Sequence, residues 1–423
     1  MSKSRQGRRN ALSPALAAGS AQALATDSPQ ALAVESPQAL NAAGFRLLES
    51  GDAAGAAPLF AAAAELDPGA AALWLNLAKA RRVLGDDDGE AESLARVLAI
   101  DARDLTGLIR MAELHERRGE LAKATAAWSG VIAVAPPVGE CAPPLMEVVV
   151  RATAFVDTRN ADFAATVDAA LADDLAGVAP AARRRLDAAI GAATGRRRIY
   201  VNECAGLHFP FLPADEFFDR GHFPWLAAFE AHTPAIRAEA VALLAGGGDG
   251  IKPYVAMESG APPNKWSPLD RSLDWSAYHL WQYGSPIASA LAKCPATAAA
   301  LAAIPRAELP GRAPTAFFSI LRPHTRIPPH TGVSNTRTIV HLPLIVPPGC
   351  SFRVGGETRQ WIEGEALAFD DTIEHEAWND SDDARVVLIL DVWNPYLTGD
   401  ERRLLQAFYR AADASGHNPE VKE

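Results

Sequence analysis

Residues 317–347, FFSILRPHTRIPPHTGVSNTRTIVHLPLIVP, decide the fold predicted for the C-terminal half of this chain. Two later segments continue the pattern, GCSFRVGGETRQWIEGEALAFDDTIEHEAWND at 349–380 and ARVVLILDVWNP at 384–395. Short runs rich in Val, Ile, Leu, Phe and Thr alternate with Gly, Pro, Asn and Asp, at 314–321, 337–346, 350–354, 365–369 and 385–393. Such runs, separated by turn residues, predict an antiparallel sandwich or barrel.

Four of the ten histidines fall within these segments, namely His324, His330, His341 and His375. A ferrous oxygenase binds iron through two imidazoles, usually with one carboxylate, and keeps adjacent positions open for a chelating co-substrate and oxygen. His330 ends one predicted strand, and His375 begins another 45 residues later. This pair is the candidate iron site, whereas we expect His324 to be an ordinary core or surface histidine.

Arg385 opens the apolar run RVVLILDVW. A buried guanidinium needs an anionic partner, because an unpaired buried charge is costly. Its fork of N–H groups suits a carboxylate in two-point contact. The far carboxylate of 2-oxoglutarate would be such a partner, and the alternative is a structural ion pair, for example with Asp391.

Two further polar side chains are expected beside Arg385. Alternation along 337–343 places Arg337, Ile339 and His341 on one face of their strand, so His341 can point inward. Ser319, on the preceding predicted strand, can add a hydroxyl group to the same carboxylate site.

Three motifs in this half resemble the aspartyl/asparaginyl β-hydroxylase family of iron(II)- and 2-oxoglutarate-dependent oxygenases: PHTG at 329–332, FDDTIEHEAWN at 369–379 and RVVLILDVWNP at 385–395. The resemblance covers roughly half of the chain and implies a double-stranded β-helix (jelly-roll) fold, with O2 as the second co-substrate. Residue by residue, it implies that the iron ligands are His330 and His375. The 2-oxoglutarate contacts that it implies are Ser319, His341, Arg385 and the backbone of Leu321.

The ligand motif departs from the general pattern at one position. A general triad would place an aspartate two residues after the first histidine, but Gly332 stands there and cannot bind a metal. Some members of the family share this glycine and use two histidines with water. Four acidic residues near His375 remain alternatives for a carboxylate ligand: Asp370, Asp371, Glu374 and Glu376.

Length and composition limit the number of domains, the partners and the cellular location that we expect. A chain of 423 residues predicts two or three domains. The net charge of -11 argues against nucleic-acid or anionic-membrane partners. The four cysteines form no CxxC motif, and no apolar run is long enough to span a membrane, so we expect a cytoplasmic protein without an anchor.

The N-terminal half contains an internal repeat. Gly51, Gly85 and Gly119 are spaced by 34 residues, the period of tetratricopeptide repeats. We therefore predict a multidomain α + β chain, with three such repeats forming a helical solenoid at 37–136. An Ala-, Ser- and Pro-rich disordered tail at 1–36 precedes them, a helical linker or cap at 137–198 follows, and a jelly-roll oxygenase domain with flanking helices occupies 199–423. Within that domain the pattern predicts helices at 223–244, 287–303 and 399–413, and a strand at 275–284.

The predicted reaction is hydroxylation of the β-carbon of an Asp or Asn side chain in a peptide or protein, as the family resemblance implies. Concave repeat surfaces commonly bind extended peptides, so the repeats are expected to recruit this substrate or another protein partner. Arg337 is the candidate group for holding the acceptor side chain, and its alternative role is a rim residue paired with a surface acid. Two other functions stay open: the same chemistry on a small molecule or lipid, and an inert binding scaffold.

Overall fold

The computed structural model describes residues 36–137, 140–309 and 311–416. The predicted disordered tail lies outside these residues, apart from Ser36. The chain divides into two compact units between Arg159 and Asn160. In the part of the chain described, no helix is both long and apolar enough to cross a membrane.

The first unit contains three pairs of helices, as the 34-residue spacing predicts. The helices are α1 Pro37–Glu49, α2 Ala53–Leu66, α3 Ala71–Leu84, α4 Asp87–Ile100, α5 Leu105–Arg117 and α6 Leu121–Val134. The spaced glycines lie in the turns inside each pair with φ of 87°, 70° and 67°, a conformation that glycine adopts at little cost. A small residue is needed at Gly44, because a Cβ there would lie 2.8 Å from the ring of Phe60. The tetratricopeptide-like repeats are confirmed.

Two helices occupy the segment predicted to be helical between the repeats and the oxygenase domain. They are α7 Pro143–Leu175 and α8 Pro180–Ala193. The division between the two units falls within α7.

The second unit contains eleven strands among the described residues, all paired antiparallel. They are β1 Lys252–Pro253, β2 Trp275–Gln282, β3 Ser285–Pro286, β4 Ala316–Leu321, β5 Thr325–His330, β6 Arg337–Ile345, β7 Cys350–Val354, β8 Glu357–Arg359, β9 Leu367–Phe369, β10 His375–Asn379 and β11 Arg385–Trp393. The larger sheet has the order β1-β2-β4-β11-β6-β9, with β3 beside β2, and the smaller sheet has the order β5-β10-β7-β8. The predicted antiparallel sheets are confirmed, while the jelly-roll topology stays a prediction.

Where the sequence pattern indicated two long helices, the structure has two pairs of shorter ones. Five α-helices of the described residues flank the larger sheet. They are α9 Leu226–Glu230, α10 Thr233–Ala245, α11 Ala288–Lys293, α12 Pro295–Ala302 and α13 Gly399–Ala414. The continuous helices predicted at 223–244 and 287–303 are wrong. Pro234 and Pro295 each stand in the first turn of a new helix, because proline lacks the N–H that a continuing helix would need.

The strands of the larger sheet have two chemically different faces. The face that packs with α9–α12 is apolar and contains Phe318, Ile320, Val340, Leu342, Leu344, Val386, Leu388 and Leu390. The opposite face turns toward the smaller sheet and carries the polar residues that the sequence singled out. Period-2 alternation thus separates the core from the candidate site.

Candidate active site

A cavity of about 280 Å³ lies between the two sheets, and residues of both sheets form its wall. The wall includes all but one of the predicted site residues: Ser319, His330, Arg337, His341, His375 and Arg385. The exception is Leu321, which is buried and whose carbonyl oxygen accepts a hydrogen bond of 3.0 Å from the side chain of Asn379. The structure therefore brings together every predicted side chain, and the backbone contact of Leu321 stays a prediction.

His330 and His375 face each other across the ladder between β5 and β10, where they are direct partners. Their ring centroids are 4.0 Å apart. The Nδ1 atom of His330 lies 2.8 Å from the carbonyl oxygen of Pro328, and that of His375 lies 3.0 Å from the carbonyl oxygen of Ile373. A carbonyl can only accept, so each Nδ1 carries the proton and each Nε2 keeps its lone pair. Histidines that bind metals are oriented in this way.

Burial keeps both imidazoles neutral. It lowers the pKa of His330 to about 4 and holds the pKa of His375 well below its usual range. Neutral imidazole is the form that binds a metal ion, so the pair offers two adjacent nitrogen donors at pH 7.

At position 332, where the general motif has an aspartate ligand, the space for a side chain is taken by a neighbouring residue. Gly332 donates a backbone hydrogen bond of 2.7 Å to the carbonyl oxygen of Asp371. A Cβ atom at Gly332 would overlap the Asp371 carboxylate, so that carboxylate occupies the space which a side chain at 332 would take. Asp371 lines the cavity together with His330 and His375.

The other three acidic candidates are held elsewhere. Asp370 accepts hydrogen bonds from Asn202 and Thr372, while Glu374 and Glu376 both pair with Arg353. Among the described residues, no group of three or more His, Cys, Asp or Glu is arranged to hold a metal ion. His330 and His375 are the neighbouring nitrogen donors of the cavity, and Asp371 is the acidic candidate that lines it with them.

Arg385 is the cation of the cavity. Its side chain is 1% exposed, and neither Nε nor Nη1 has a hydrogen-bond partner. Burial lowers its pKa to about 10, which leaves it protonated at pH 7. The Trp361 ring packs against its guanidinium, with 4.7 Å from Cζ to the ring centroid. The structural alternative for Arg385, an ion pair with Asp391, is wrong, because Asp391 has another partner.

Two polar groups accompany this cation. The Nδ1 atom of His341 is buried without a hydrogen-bond partner. Burial, and to a smaller extent the nearby charge of Arg385, keeps the pKa of His341 well below the usual range. The Oγ of Ser319 accepts a hydrogen bond of 3.2 Å from Nε1 of Trp275. Since the indole can only donate, the Ser319 hydroxyl has its own proton left to donate into the cavity.

Arg337 lines the cavity, so its role toward the acceptor stays a prediction, while its alternative role as a rim residue paired with a surface acid is wrong. Its Nη1 lies 2.7 Å from Oδ2 of Asp391, and the two side chains are 6% and 2% exposed. The partner is thus a buried acid, not a surface acid. The guanidinium still lines the cavity, but its charge is offset by a carboxylate of the same wall.

Sequence reasoning missed an aromatic wall beside the histidines. The rings of Tyr254 and Trp275 are stacked with centroids 3.9 Å apart, and the Trp266 centroid lies 5.1 Å from that of His330. The aromatic composition of the strand at 275–284 was the available signal. It could not indicate which rings face the site.

Comparison with known proteins agrees with this geometry. The family model described as Aspartyl/Asparaginyl beta-hydroxylase matches residues 230–395, a range that contains all three motifs. The mouse aspartyl/asparaginyl beta-hydroxylase is 43% identical over 136 residues, which are 32% of this chain and 18% of the mouse protein. Through these residues, the chain belongs to the aspartyl/asparaginyl β-hydroxylase family.

The relatives of this chain also include a lipid hydroxylase. The ornithine lipid ester-linked acyl 2-hydroxylase of Rhizobium tropici is 33% identical over 201 residues, or 46% of this chain and 66% of that protein. The chain spans only about a fifth of the length of the mouse and human β-hydroxylases that it matches. The mouse and human β-hydroxylases and the Rhizobium tropici protein are all hydroxylases.

Solved structures similar to this chain match a stretch of it comparable in length to the repeats. The Yersinia enterocolitica chaperone SycD, in complex with a YopD peptide, is 21% identical and covers 29% of this chain and 89% of its own, with a TM-score of 0.26. The first tetratricopeptide repeat domain of Spaghetti, bound to an HSP90 peptide, is 14% identical and covers 28% and 94%, with a TM-score of 0.25. These scores are low, and the repeat architecture rests on the helix pairs and their 34-residue spacing.

Proposed function

We propose that the second unit is an iron(II)- and 2-oxoglutarate-dependent dioxygenase that hydroxylates an unactivated C–H bond. The observation that carries this proposal is the buried, partnerless guanidinium of Arg385 in the same cavity as two neutral, oriented histidines. An uncompensated buried cation is costly unless an anion joins it. The far carboxylate of 2-oxoglutarate is an anion of suitable chemistry.

His330 and His375 would hold the iron through Nε2, since each Nδ1 is committed to a backbone carbonyl. When bound, the iron would supply the oxidation, using O2 and 2-oxoglutarate and releasing succinate and carbon dioxide. Arg385 would bind the far carboxylate in two-point fashion, with hydrogen bonds from Ser319 and His341 beside it. Asp371, next to Gly332, can accept a hydrogen bond from water where a third protein ligand would otherwise stand.

We propose a jelly roll for the eight strands β4 to β11. Consecutive strands alternate between the sheets except for β7 and β8, which pair with each other in the smaller sheet, and the orders are β4-β11-β6-β9 and β5-β10-β7-β8. Two four-stranded antiparallel sheets of this kind are the architecture expected of a double-stranded β-helix.

The acceptor that we propose is the β-carbon of an Asp or Asn side chain in a peptide, recruited partly by the repeats. The similarity to the mouse and human β-hydroxylases supports it. Arg337 faces the acceptor as one half of an ion pair with Asp391, so its charge is already offset. This favours a neutral amide over a carboxylate, and hence Asn over Asp.

A second candidate is an acyl chain of a lipid. The Rhizobium tropici relative supports it, because its match covers more of this chain than the β-hydroxylase matches do. Iron, 2-oxoglutarate and the two histidines would act in the same way on either acceptor.

The test is conversion of 2-oxoglutarate to succinate by the full chain with Fe(II) and O2, with and without Asn- and Asp-containing peptides. His330→Ala should abolish succinate formation. His324→Ala is the matched control, because His324 is an exposed histidine of the same segment, paired with Asp382. Mass spectrometry should show the gain of one oxygen atom on the peptide. Normal succinate formation by His330→Ala would refute the site, and an oxygen gain confined to a lipid would select the second candidate.

A further inference from the structure

A second cavity, of about 400 Å³, lies next to the first in the same unit. Its wall is formed by α13, by the segment 333–337, by the loop at 206–207 and by Leu309 and Arg312. Val333 and Arg337 line both cavities, so the two spaces adjoin each other at these residues. We call it the α13 cavity.

The wall of the α13 cavity is suited to an apolar group. Apolar side chains contribute most of it, including Leu207, Leu309, Val333, Phe408 and Ala412. Burying a charged group against such a surface would be costly, whereas an apolar side chain would gain from leaving water.

The charges on this wall are already compensated. Arg312 makes two hydrogen bonds to Asp413, of 2.9 and 2.6 Å, and Arg337 is paired with Asp391. The hydroxyl oxygens of Ser334 and Thr336 lie 2.9 Å apart and share a hydrogen bond. A charged ligand would therefore find its potential partners already paired in this cavity.

The wall is also held in place before any ligand arrives. The Arg312 guanidinium lies over the Tyr409 ring, 4.3 Å from its centroid, so Arg312 is held against α13. A capping box between Thr398 and Glu401 fixes the start of the helix. Preformed walls lower the ordering cost of binding. Phe408 lines the cavity yet is 52% exposed, so part of an apolar surface stays open at this place.

We propose that the α13 cavity is a substrate subsite that takes a large aliphatic or aromatic side chain of the peptide, near the residue that is hydroxylated. Neighbouring residues of an extended peptide are about 3.3–3.6 Å apart along the chain, so adjoining cavities can receive nearby side chains. This proposal rests on the proposed function and adds a sequence preference to it.

The test compares short synthetic peptides that contain one Asn and differ only at one neighbouring position, which carries Leu, Phe or Ser. Their affinity for the full chain is measured by titration calorimetry without added metal, with each neighbouring position tested in turn. At one position, Leu or Phe should bind about tenfold to a hundredfold more tightly than Ser, as expected for burial of one large apolar side chain.

Variants of the cavity locate the preference. Ala412→Trp should fill the cavity and Phe408→Ala should remove part of its wall, so both should bring the affinity ratio close to one. Ala411→Trp is the matched control on the same helix, since Ala411 is exposed and lies outside the cavity wall, and it should keep the wild-type ratio.

The outcomes separate this proposal from the proposed function. Peptides hydroxylated without preference for an apolar neighbour would overturn the subsite and leave the dioxygenase intact. A preference that Ala412→Trp and Phe408→Ala abolish, without any 2-oxoglutarate turnover, would support the subsite and refute the dioxygenase. If the peptides show no preference but an N-decanoyl amino acid binds and Ala412→Trp blocks it, the cavity takes an acyl chain and the peptide proposal is wrong.

Discussion

Arg385→Met should make the protein more stable and at the same time unable to bind 2-oxoglutarate. The arginine is fully buried without partners for Nε and Nη1, and burial lowers its pKa from the usual value of arginine to about 10. A shift of one pKa unit corresponds to about 1.4 kcal/mol, so the charged guanidinium costs the folded state on the order of 3 kcal/mol. The folded pKa is lower than the unfolded one, so this cost is fully present below pH 10 and disappears as the pH rises from there toward the unfolded pKa of arginine.

Methionine has a similar length and no charge, so the variant should gain up to about 3 kcal/mol in free energy of unfolding when 2-oxoglutarate is absent. With 2-oxoglutarate and anaerobic Fe(II), the difference in stability between the variant and the wild type should nearly disappear. A ligand at a hundred times its Kd stabilises the wild type by about 2.7 kcal/mol. The variant should have lost about 2–5 kcal/mol of binding free energy and gain little.

Amide hydrogen exchange in β4 and β11 is the suitable assay, because it reports on this sheet and not on the repeats. Arg322→Met is the matched control, since Arg322 directly follows β4, its side chain is 54% exposed, and it lies 3.9 Å from Asp274. It should change the exchange free energies by less than about 0.5 kcal/mol. A destabilised Arg385→Met protein, or one that 2-oxoglutarate protects as well as the wild type, would refute the reasoning.

Three further changes test the surroundings of the site. Arg337→Ala should lower the free energy of unfolding by about 3–5 kcal/mol in urea titrations, because it leaves the buried Asp391 carboxylate without its partner; a loss below about 1 kcal/mol would contradict the buried pair. Burial lowers the pKa of His279 to about 4, so stability should fall by up to about 3 kcal/mol as the pH drops from 6.5 toward 4, and His279→Gln should flatten that dependence. If His279→Gln left the pH dependence of stability unchanged, this role of His279 would be contradicted. Gly332→Ala should cost about 1–3 kcal/mol, because its Cβ meets the Asp371 carboxylate; a variant with wild-type stability would show that the carboxylate turns away freely.

The part of the site that could be predicted depends on local periodicity. Alternation on single strands and short motifs were enough to bring His330, His341, His375, Ser319 and Arg385 into one cavity. Both signals can be recognised in a few consecutive residues, so they do not require knowledge of how the strands pair. The same holds for the repeats, whose 34-residue glycines mark turns.

The partner of Arg337 could not be predicted, because it depends on strand register. Asp391 lies 54 residues later in the chain, and it meets Arg337 only because β6 and β11 pair with Trp393 opposite Arg337. A shift of one residue would turn Asp391 to the other face of the sheet. By contrast, the breaks at Pro234 and Pro295 were visible in the sequence and should have ended the predicted helices.

The central claim is that two histidines and Arg385 hold iron(II) and 2-oxoglutarate together. The most direct measurement is the visible charge-transfer absorption of the Fe(II)–2-oxoglutarate complex, recorded under nitrogen on the full chain. We predict that the band forms with one iron per chain and is absent from His330→Ala and from His375→Ala. It should persist in His324→Ala. A band of unchanged intensity in both site variants, or no band in the wild-type protein, would contradict the claim.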